Sequence, residues 1–287
     1  MLLEGAIVPL LFALALASST YAQFTSAVSL VEVYATVTDE QGAAIIGLTA
    51  ADFRVSEDGS PQTIATFAAG EFPLAVAVAL DRSFSMGAGR GARLDMAKNA
   101  ARAFIGGLKP ADQVMVIAIG SDAGIVAPLS TDHAAAVTAI ERLDAWGTTP
   151  LYDATVSALD AIQPAKGRRA LVLLSDGTDR YSDTSAAALV EQVRRRDVLV
   201  YPVAIGASRP TVFAELATAS GGRSFFVNDP RELSSTLTAI ARELRSQYLL
   251  GYAPSRATAA EPSWHAIDVA VNRPRARVRA RDGYYGR

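Results

Sequence analysis

Two aspartates and a small set of hydroxyls carry the chemistry open to this sequence. Asp81 ends the apolar run Leu74–Leu80, and Asp176 follows the apolar run Ala170–Leu174 after a single serine, Ser175. The string Asp81-Arg82-Ser83-Phe84-Ser85 places two hydroxyls directly behind the first aspartate, and Gly147-Thr148-Thr149-Pro150 offers another before a helix. Facing carboxylates repel unless a cation or a shared proton lies between them. Oxygen donors without His or Cys suit a hard cation such as Mg²⁺, with Mn²⁺ or Ca²⁺ as substitutes, rather than zinc or copper. Taken singly, each residue has an ordinary role. Asp176-Gly177 is a turn pair, and Ser83, Ser85 or Thr149 each suits a helix N-cap. Their joint occurrence behind two corresponding strands points to a cation site.

The elements that must position these residues alternate between strand and helix. Leu74–Leu80, Val114–Ile119, Ala170–Leu174 and Val198–Ile205 read as strands buried on both faces. Between and after them, helical spacing recurs at Leu94–Leu108, Val137–Leu143, Ala186–Val193 and Leu233–Leu244, the last opened by Asp229-Pro230-Arg231-Glu232. Such alternation predicts an α/β fold with a doubly wound, mostly parallel sheet. Ligands of these sheets sit beyond the strand ends where strand order reverses, so Asp81 and Asp176 are expected at one crevice. The flanks read differently. Val31, Val33, Ala35 and Val37 alternate with polar residues, and Asp58-Gly59 reads as a turn between Phe53–Ser56 and Thr63–Phe67. Strand patterns return at Tyr248–Tyr252 and Ile267–Val271. Residues 23–71 and 247–287 are expected to pair as one small antiparallel β domain, with the α/β domain of residues 72–246 inserted between them.

Composition narrows the function classes. The 287 residues are half apolar, and 27 basic against 29 acidic residues leave a net charge of −2, which argues against nucleic acid or an anionic membrane as partner. Cysteine is absent, which removes disulfides, thiolate metal sites and cysteine nucleophiles. Residues 5–18 form an apolar run shorter than the roughly 20 residues a membrane span needs, followed by small residues before Gln23. Residues 1–22 are therefore expected to be a secretory signal peptide, although Glu4 stands where a basic residue is usual. The expected location is periplasmic or extracellular, with no stable membrane insertion after signal removal.

Weaker signals remain. Gly87–Ala92 is glycine-rich but lacks the spacing of a dinucleotide loop. His133 and His265 read as solvated surface residues, and Asp179 and Asp183 as loop and helix-cap acids. Arg273, Arg275, Arg277, Arg279 and Arg281 alternate with Pro274, Ala276, Val278 and Ala280. On one strand they would form a stripe able to hold an acidic polymer, but a solvated outer face balanced by acids such as Glu32 is favoured.

The set Asp81, Ser83, Ser85, Thr149 and Asp176 resembles the metal-ion-dependent adhesion site of von Willebrand factor type A domains, with its Asp-x-Ser-x-Ser motif and distal Thr and Asp. The strings Gly147–Ala154 (GTTPLYDA) and Leu173–Gly177 (LLSDG) look like that family over about residues 73–246. The flanks Gly47–Phe67, Tyr248–Tyr252 and Val278–Tyr284 look like secreted, acidobacterial-type relatives. The resemblance implies that Ser83 and Ser85 bind the ion through their hydroxyls and Thr149 directly or through water. Asp81 and Asp176 would hold coordinating waters or the ion itself, and a partner protein's Asp or Glu carboxylate would take the open position. Phe84 and Arg82, in the spacer positions, are the partner-contact candidates. The expected function is an exported, non-enzymatic, metal-dependent protein-binding module. A scaffold for acidic polymers and a metal-dependent hydrolase are the alternatives, the latter weakened by the lack of a general base.

Overall fold

The computed structural model describes residues 30–70, 72–87, 93–256 and 261–286. The expected signal peptide and most of the glycine-rich turn after Gly87 lie outside them. The first strands are β1 (Val31–Thr38), β2 (Phe53–Glu57), β3 (Ser60–Gln62) and β4 (Ile64–Ala69). The central region follows with β5 (Leu74–Asp81), α1 (Phe84–Gly87), α2 (Arg93–Gly106), β6 (Gln113–Ile119), β7 (Ala123–Ser130), α3 (His133–Glu141), α4 (Leu151–Ile162) and β8 (Arg168–Ser175). It continues through α5 (Ala186–Arg194), β9 (Leu199–Ile205), α6 (Thr211–Ser220), β10 (Phe225–Val227) and α7 (Leu233–Arg245). The chain closes with β11 (Tyr248–Tyr252), β12 (Ser263–Val271), β13 (Arg277–Arg279) and β14 (Gly283–Gly286).

Six strands form one sheet in the order β10-β9-β8-β5-β6-β7, parallel except for the β6–β7 pair. Residues of α2, α3 and α7 cover one face, and residues of α4, α5 and α6 the other. Every residue of β5 is buried. Its Leu and Val side chains face the α2/α7 layer, while Ala75, Ala77 and Ala79 face the α4 layer. The neighbour β8 places Leu171 and Leu173 on that same alanine side, so large residues fill what small ones leave. From β5 the chain winds outward through β6 and β7, then crosses back to β8 on the other side. Strand order therefore reverses between β5 and β8, the strands that lead to Asp81 and Asp176. The edge strand β7 escapes the sequence pattern because it is largely solvent-facing and carries Gly124 and Pro128. Helix α7 buries Leu233, Leu237, Ile240 and Leu244 completely, as its spacing predicts. Its start is different from the expected capping box. A 3-10 turn over Pro230–Glu232 precedes it, and Asp229 accepts from the Arg231 backbone N–H at 3.0 Å.

The flanking segments form two four-stranded antiparallel sheets, β13-β1-β11-β4 and β14-β12-β2-β3. Strands from both ends of the described chain interleave, since β1 pairs with β11 and β2 with β12. The fold is thus a doubly wound α/β unit inserted in an antiparallel β unit. Val33, Ala35, Leu250 and Tyr252 of the first sheet pack with Phe53, Val55 and Ile267 of the second. Asp58 and Gly59, at φ +51° and +78°, make the tight β2–β3 turn. The strand expected over Thr63–Phe67 begins at Ile64 and does not pair with β2 across the Asp58-Gly59 turn, where the shorter β3 takes that place. β3 stays with β2, whereas β4 crosses to β11 and sets Ala69 opposite Tyr248. That pair brackets the inserted unit.

The five arginines do not line one strand. β13 covers only Arg277–Arg279, and Arg275 adopts a left-handed φ of +62°. Arg273, Arg275, Arg279 and Arg281 lie 3.4, 4.0, 2.5 and 3.4 Å from Asp52, Glu40, Glu243 and Asp197. Glu32 meets Arg281 through its backbone carbonyl, at 2.7 Å, not through its carboxylate. These pairings remove the uniform basic stripe. Between the two units, buried Arg168 donates to Gln247 Oε1 at 3.2 Å and lies over the rings of Tyr34 and Phe72. Burial lowers its pKa to about 10.

Candidate metal centre

Three loops meet at the β5/β8 reversal, and backbone hydrogen bonds join them. Trp146 N–H donates to the Arg82 carbonyl at 2.7 Å, and Phe84 N–H to the Gly147 carbonyl at 3.2 Å. Arg180 N–H donates to the Thr149 carbonyl at 2.6 Å, which ties the Asp176 loop to the threonine loop. Gly147 allows this closeness. It sits at φ +85°, and a Cβ there would lie 2.4 Å from the Ser121 nitrogen. Asp153 of α4 accepts from Asp183 and Thr184 N–H at 2.8 and 3.0 Å. Asp179 accepts from Tyr152 N–H at 3.1 Å and Ser182 Oγ at 2.6 Å, the loop-fastening role expected of it.

Asp81 is completely buried at the end of β5. Its Oδ1 accepts from Ser83 N–H at 2.9 Å and its Oδ2 from Ser175 Oγ at 2.6 Å. Burial raises its pKa above the ordinary 3.8, the hydrogen bonds from Ser175 and Ser83 oppose that shift, and the charge of Asp176 adds to it. Ser83 and Ser85 bring their Oγ atoms to 3.1 Å of each other. Thr149 is buried, yet its hydroxyl makes no hydrogen bond among the described residues. It is not the N-cap of α4 either, because Pro150 takes that position and Leu151 is the first helical residue. Asp176 is half-buried and accepts from Thr178 N–H at 3.0 Å. Ser83, Ser85 and Thr149 line one cleft of about 250 Å³ together with Phe84, Thr178 and Arg180. Asp81 stands one hydrogen bond behind its wall.

These residues fit a hard divalent cation. The cleft offers hydroxyl oxygens, one of them without a protein partner, and the buried Asp81 has no Lys, Arg or His in ion-pair reach among the described residues. A buried, uncompensated carboxylate beside a second one is costly, and a divalent ion relieves both. Of the two contact candidates, Phe84 is 64% exposed at the cleft. The Arg82 guanidinium is turned away, 5.0 Å above the Trp146 ring and 3.4 Å from the Asp144 carbonyl. Ser175, which holds the inner oxygen of Asp81, and Arg180, on the cleft wall, are not among the residues singled out by the sequence. Ser175 has a signal in hindsight, a hydroxyl interrupting an apolar strand just before Asp176.

A second group of potential ligands lies in the β unit, where Glu57, Asp58 and His265 bring one ligand atom each within 4.8 Å of one another. His265 is therefore not a solvated surface residue. It is buried, with Nδ1 2.7 Å from Asp58 and Nε2 2.9 Å from Ser263 Oγ. Asp58 also accepts from Ala266 N–H at 2.9 Å, so the histidine helps fasten the β2–β3 turn to β12. Glu57 is already compensated, by Arg256 Nε at 2.8 Å and the hydroxyls of Tyr252 and Tyr284 at 2.7 and 3.0 Å. His133 is half-buried and contacts the Asp112 carbonyl at 2.9 Å.

A doubly wound sheet with oxygen donors at its reversal point, opened by Asp-x-Ser-x-Ser, defines the class. Residues 76–178 match the family model of the von Willebrand factor type A domain. No curated protein matches by sequence. Solved structures do match in fold. An aerotolerance-related membrane protein from Bacteroides fragilis is 22% identical, with a TM-score of 0.51, over 60% of this chain and 98% of that one. A von Willebrand factor type A protein from Catenulispora acidiphila is 16% identical, with a TM-score of 0.53, over 79% and 71%. Proximal thread matrix protein 1 from the mussel byssus, with a zinc-occupied metal-ion-dependent adhesion site, is 17% identical, with a TM-score of 0.55, over 67% and 50%. Domains of this family are commonly metal-dependent protein-interaction modules.

Proposed function

We propose that this chain is an exported, non-enzymatic binding protein whose crevice holds a Mg²⁺-type ion for a carboxylate of a partner protein. The observation that carries the reading is the buried, uncompensated Asp81 carboxylate behind the paired hydroxyls of Ser83 and Ser85. Ser83 and Ser85 would hold the ion through their hydroxyls and Thr149 directly or through water, while Asp81 and Asp176 would hold waters or the ion itself. Bound there, the ion supplies a Lewis acid with an open position for an Asp or Glu side chain. Ser175 keeps Asp81 oriented, the three backbone bonds hold the loops in register, and Phe84 offers an apolar contact beside the site. Oxygen donors favour Mg²⁺, with Mn²⁺ or Ca²⁺ as substitutes, and the zinc-bearing mussel relative is in keeping with a divalent ion at such a site. The non-enzymatic reading is supported by where the histidines lie, since both bond to residues outside the cleft. Export rests on the apolar run at residues 5–18. Among the described residues, no helix is long and apolar enough to cross a membrane.

Calorimetric titration of Mg²⁺ and Mn²⁺ into metal-stripped protein tests the reading, beside an Asp81→Ala, Ser83→Ala double variant. One saturable site in the wild type and none in the variant is the expected result. Equal binding by both would move the ion elsewhere and overturn the proposal.

A further inference from the structure

We infer that Arg180 is a second anion-binding point of the crevice, so that a partner carboxylate is taken between the ion and a guanidinium. The inference rests on the ion site proposed above and adds a residue that the adhesion motif does not contain. Three observations meet at this side chain. Arg180 lines the same cleft as Ser83, Ser85 and Thr149. Its backbone is fastened to the ion-holding loop by the 2.6 Å bond from its N–H to the Thr149 carbonyl. It is exposed, and its guanidinium has neither a hydrogen-bond acceptor nor an ion-pair partner among the described residues.

That last property is unusual around the crevice. Among the described residues, the other arginines beside the crevice are engaged, Arg82 with Trp146 and the Asp144 carbonyl, and Arg93 with the Ser85 carbonyl at 3.5 Å. Asp179, the immediate neighbour of Arg180 in sequence, is held by Tyr152 N–H and Ser182 Oγ. The guanidinium thus keeps its planar donor fork available, a shape that matches a carboxylate and is less well matched by an ammonium group.

Charge counting gives the consequence. The carboxylates of Asp81 and Asp176 together balance one divalent ion, and Arg180, with Arg93 beside the Ser85 carbonyl, leaves the loaded cleft with surplus positive charge. A partner carboxylate offsets it. In its absence the guanidinium opposes the ion, and in its presence the anion screens the two cations from each other. Ion and carboxylate should therefore strengthen each other's binding by the same factor. An acidic side chain is selected over its amide not by the ion alone but by both cations at once.

The test uses the full chain stripped of metal, with Mn²⁺ as the ion and acetate as the probe. Acetamide is the uncharged control, and chloride holds ionic strength constant. Mn²⁺ affinity is read by calorimetry or electron paramagnetic resonance, corrected for acetate binding to Mn²⁺ in bulk. In the wild type, acetate should tighten Mn²⁺ binding about fivefold over acetamide, at the lower end of ordinary coupling between sites. In Arg180→Gln, Mn²⁺ alone should bind about twofold tighter, and the acetate enhancement should fall to less than half. Arg180→Lys keeps the charge without the fork, so it should retain wild-type Mn²⁺ affinity and lose part of the enhancement. The side chain is exposed, and an unchanged melting temperature confirms that each variant is folded. An acetate effect of wild-type size in Arg180→Gln overturns the inference and leaves the ion site standing, as does a wild type that binds Mn²⁺ without responding to acetate. A wild type without a saturable Mn²⁺ site overturns the ion reading and this inference together.

Discussion

At the β2–β3 turn, Glu57, Asp58 and His265 crowd their ligand atoms within 4.8 Å, and at the crevice Asp81 sits in the field of Asp176. By residue type the first cluster is the more obvious metal site, with two acids and an imidazole. The difference lies in what the chain supplies as counter-charge. Glu57 has the Arg256 guanidinium and two phenolic hydroxyls, and Asp58, whose carboxylate is half exposed to water, is hydrogen-bonded to the His265 ring. Asp81 has only neutral donors, the Ser83 backbone and the Ser175 hydroxyl. A cluster whose charge is balanced internally holds the fold together, whereas one left unbalanced is open to an ion from outside. Geometry alone does not separate the two cases.

The comparison breaks most clearly if one cluster can be shown to do the other's work. Asp81→Asn should reduce Mn²⁺ affinity by about a hundredfold or more, since the site loses a full charge, while raising the melting temperature of the stripped protein because a costly buried charge is gone. Glu57→Ala should do the reverse. It should lower stability by about 3 kcal/mol in urea unfolding, the cost of breaking a buried charged network, and leave Mn²⁺ affinity at the wild-type value. Saturating Mg²⁺ at a hundred times its Kd should add about 2.7 kcal/mol of stability to the wild type and equally to Glu57→Ala. Asp81→Asn should gain nothing, and differential scanning calorimetry reads all three. Gly147→Ala forces a side chain into a left-handed position against Ser121, so it should cost about 1–3 kcal/mol and weaken Mn²⁺ binding with it.

The smallest effect concerns pH. The hydrogen bond from His265, with that from the Ala266 backbone, holds Asp58 below its ordinary pKa of 3.8. An acid depressed in the folded state contributes stability above its unfolded value and loses it as pH falls through the folded one. The melting-temperature gap between wild type and Asp58→Asn should therefore be present at pH 7 and shrink below pH 3.8. A gap that grows on acidification would count against the internal balance assigned to this cluster.

Much of the α/β unit was legible because its signals are local. Continuous apolar runs mark β5, β8 and β9, the spacing of Leu233, Leu237, Ile240 and Leu244 marks α7, and the reversal rule brings Asp81 toward Asp176. What escaped depends on partners far away in the chain. His265 meets an aspartate 207 residues earlier, and nothing around either residue announces the pairing. Thr63 reads as strand because its neighbours do, yet the chain changes sheets there to reach β11. Arg180 looks like any charged loop residue, since its interest lies in lacking a partner. The arginine alternation misled in the opposite way, because a period of two over nine residues presumes a strand that the left-handed Arg275 interrupts.

The pairing of Ala69 with Tyr248 has a mechanical consequence. The crevice unit leaves and re-enters the β sheets at adjacent points, so it hangs from them as a closed loop. Tension drawn between β1 and β14 runs first through the strand ladders of the sheets, which must part before the crevice unit is stretched. A pull applied to the crevice unit itself instead reaches the sheets through β4 and β11 side by side, and the two neighbouring strands share it. The geometry of the crevice is thereby shielded from strain along the chain.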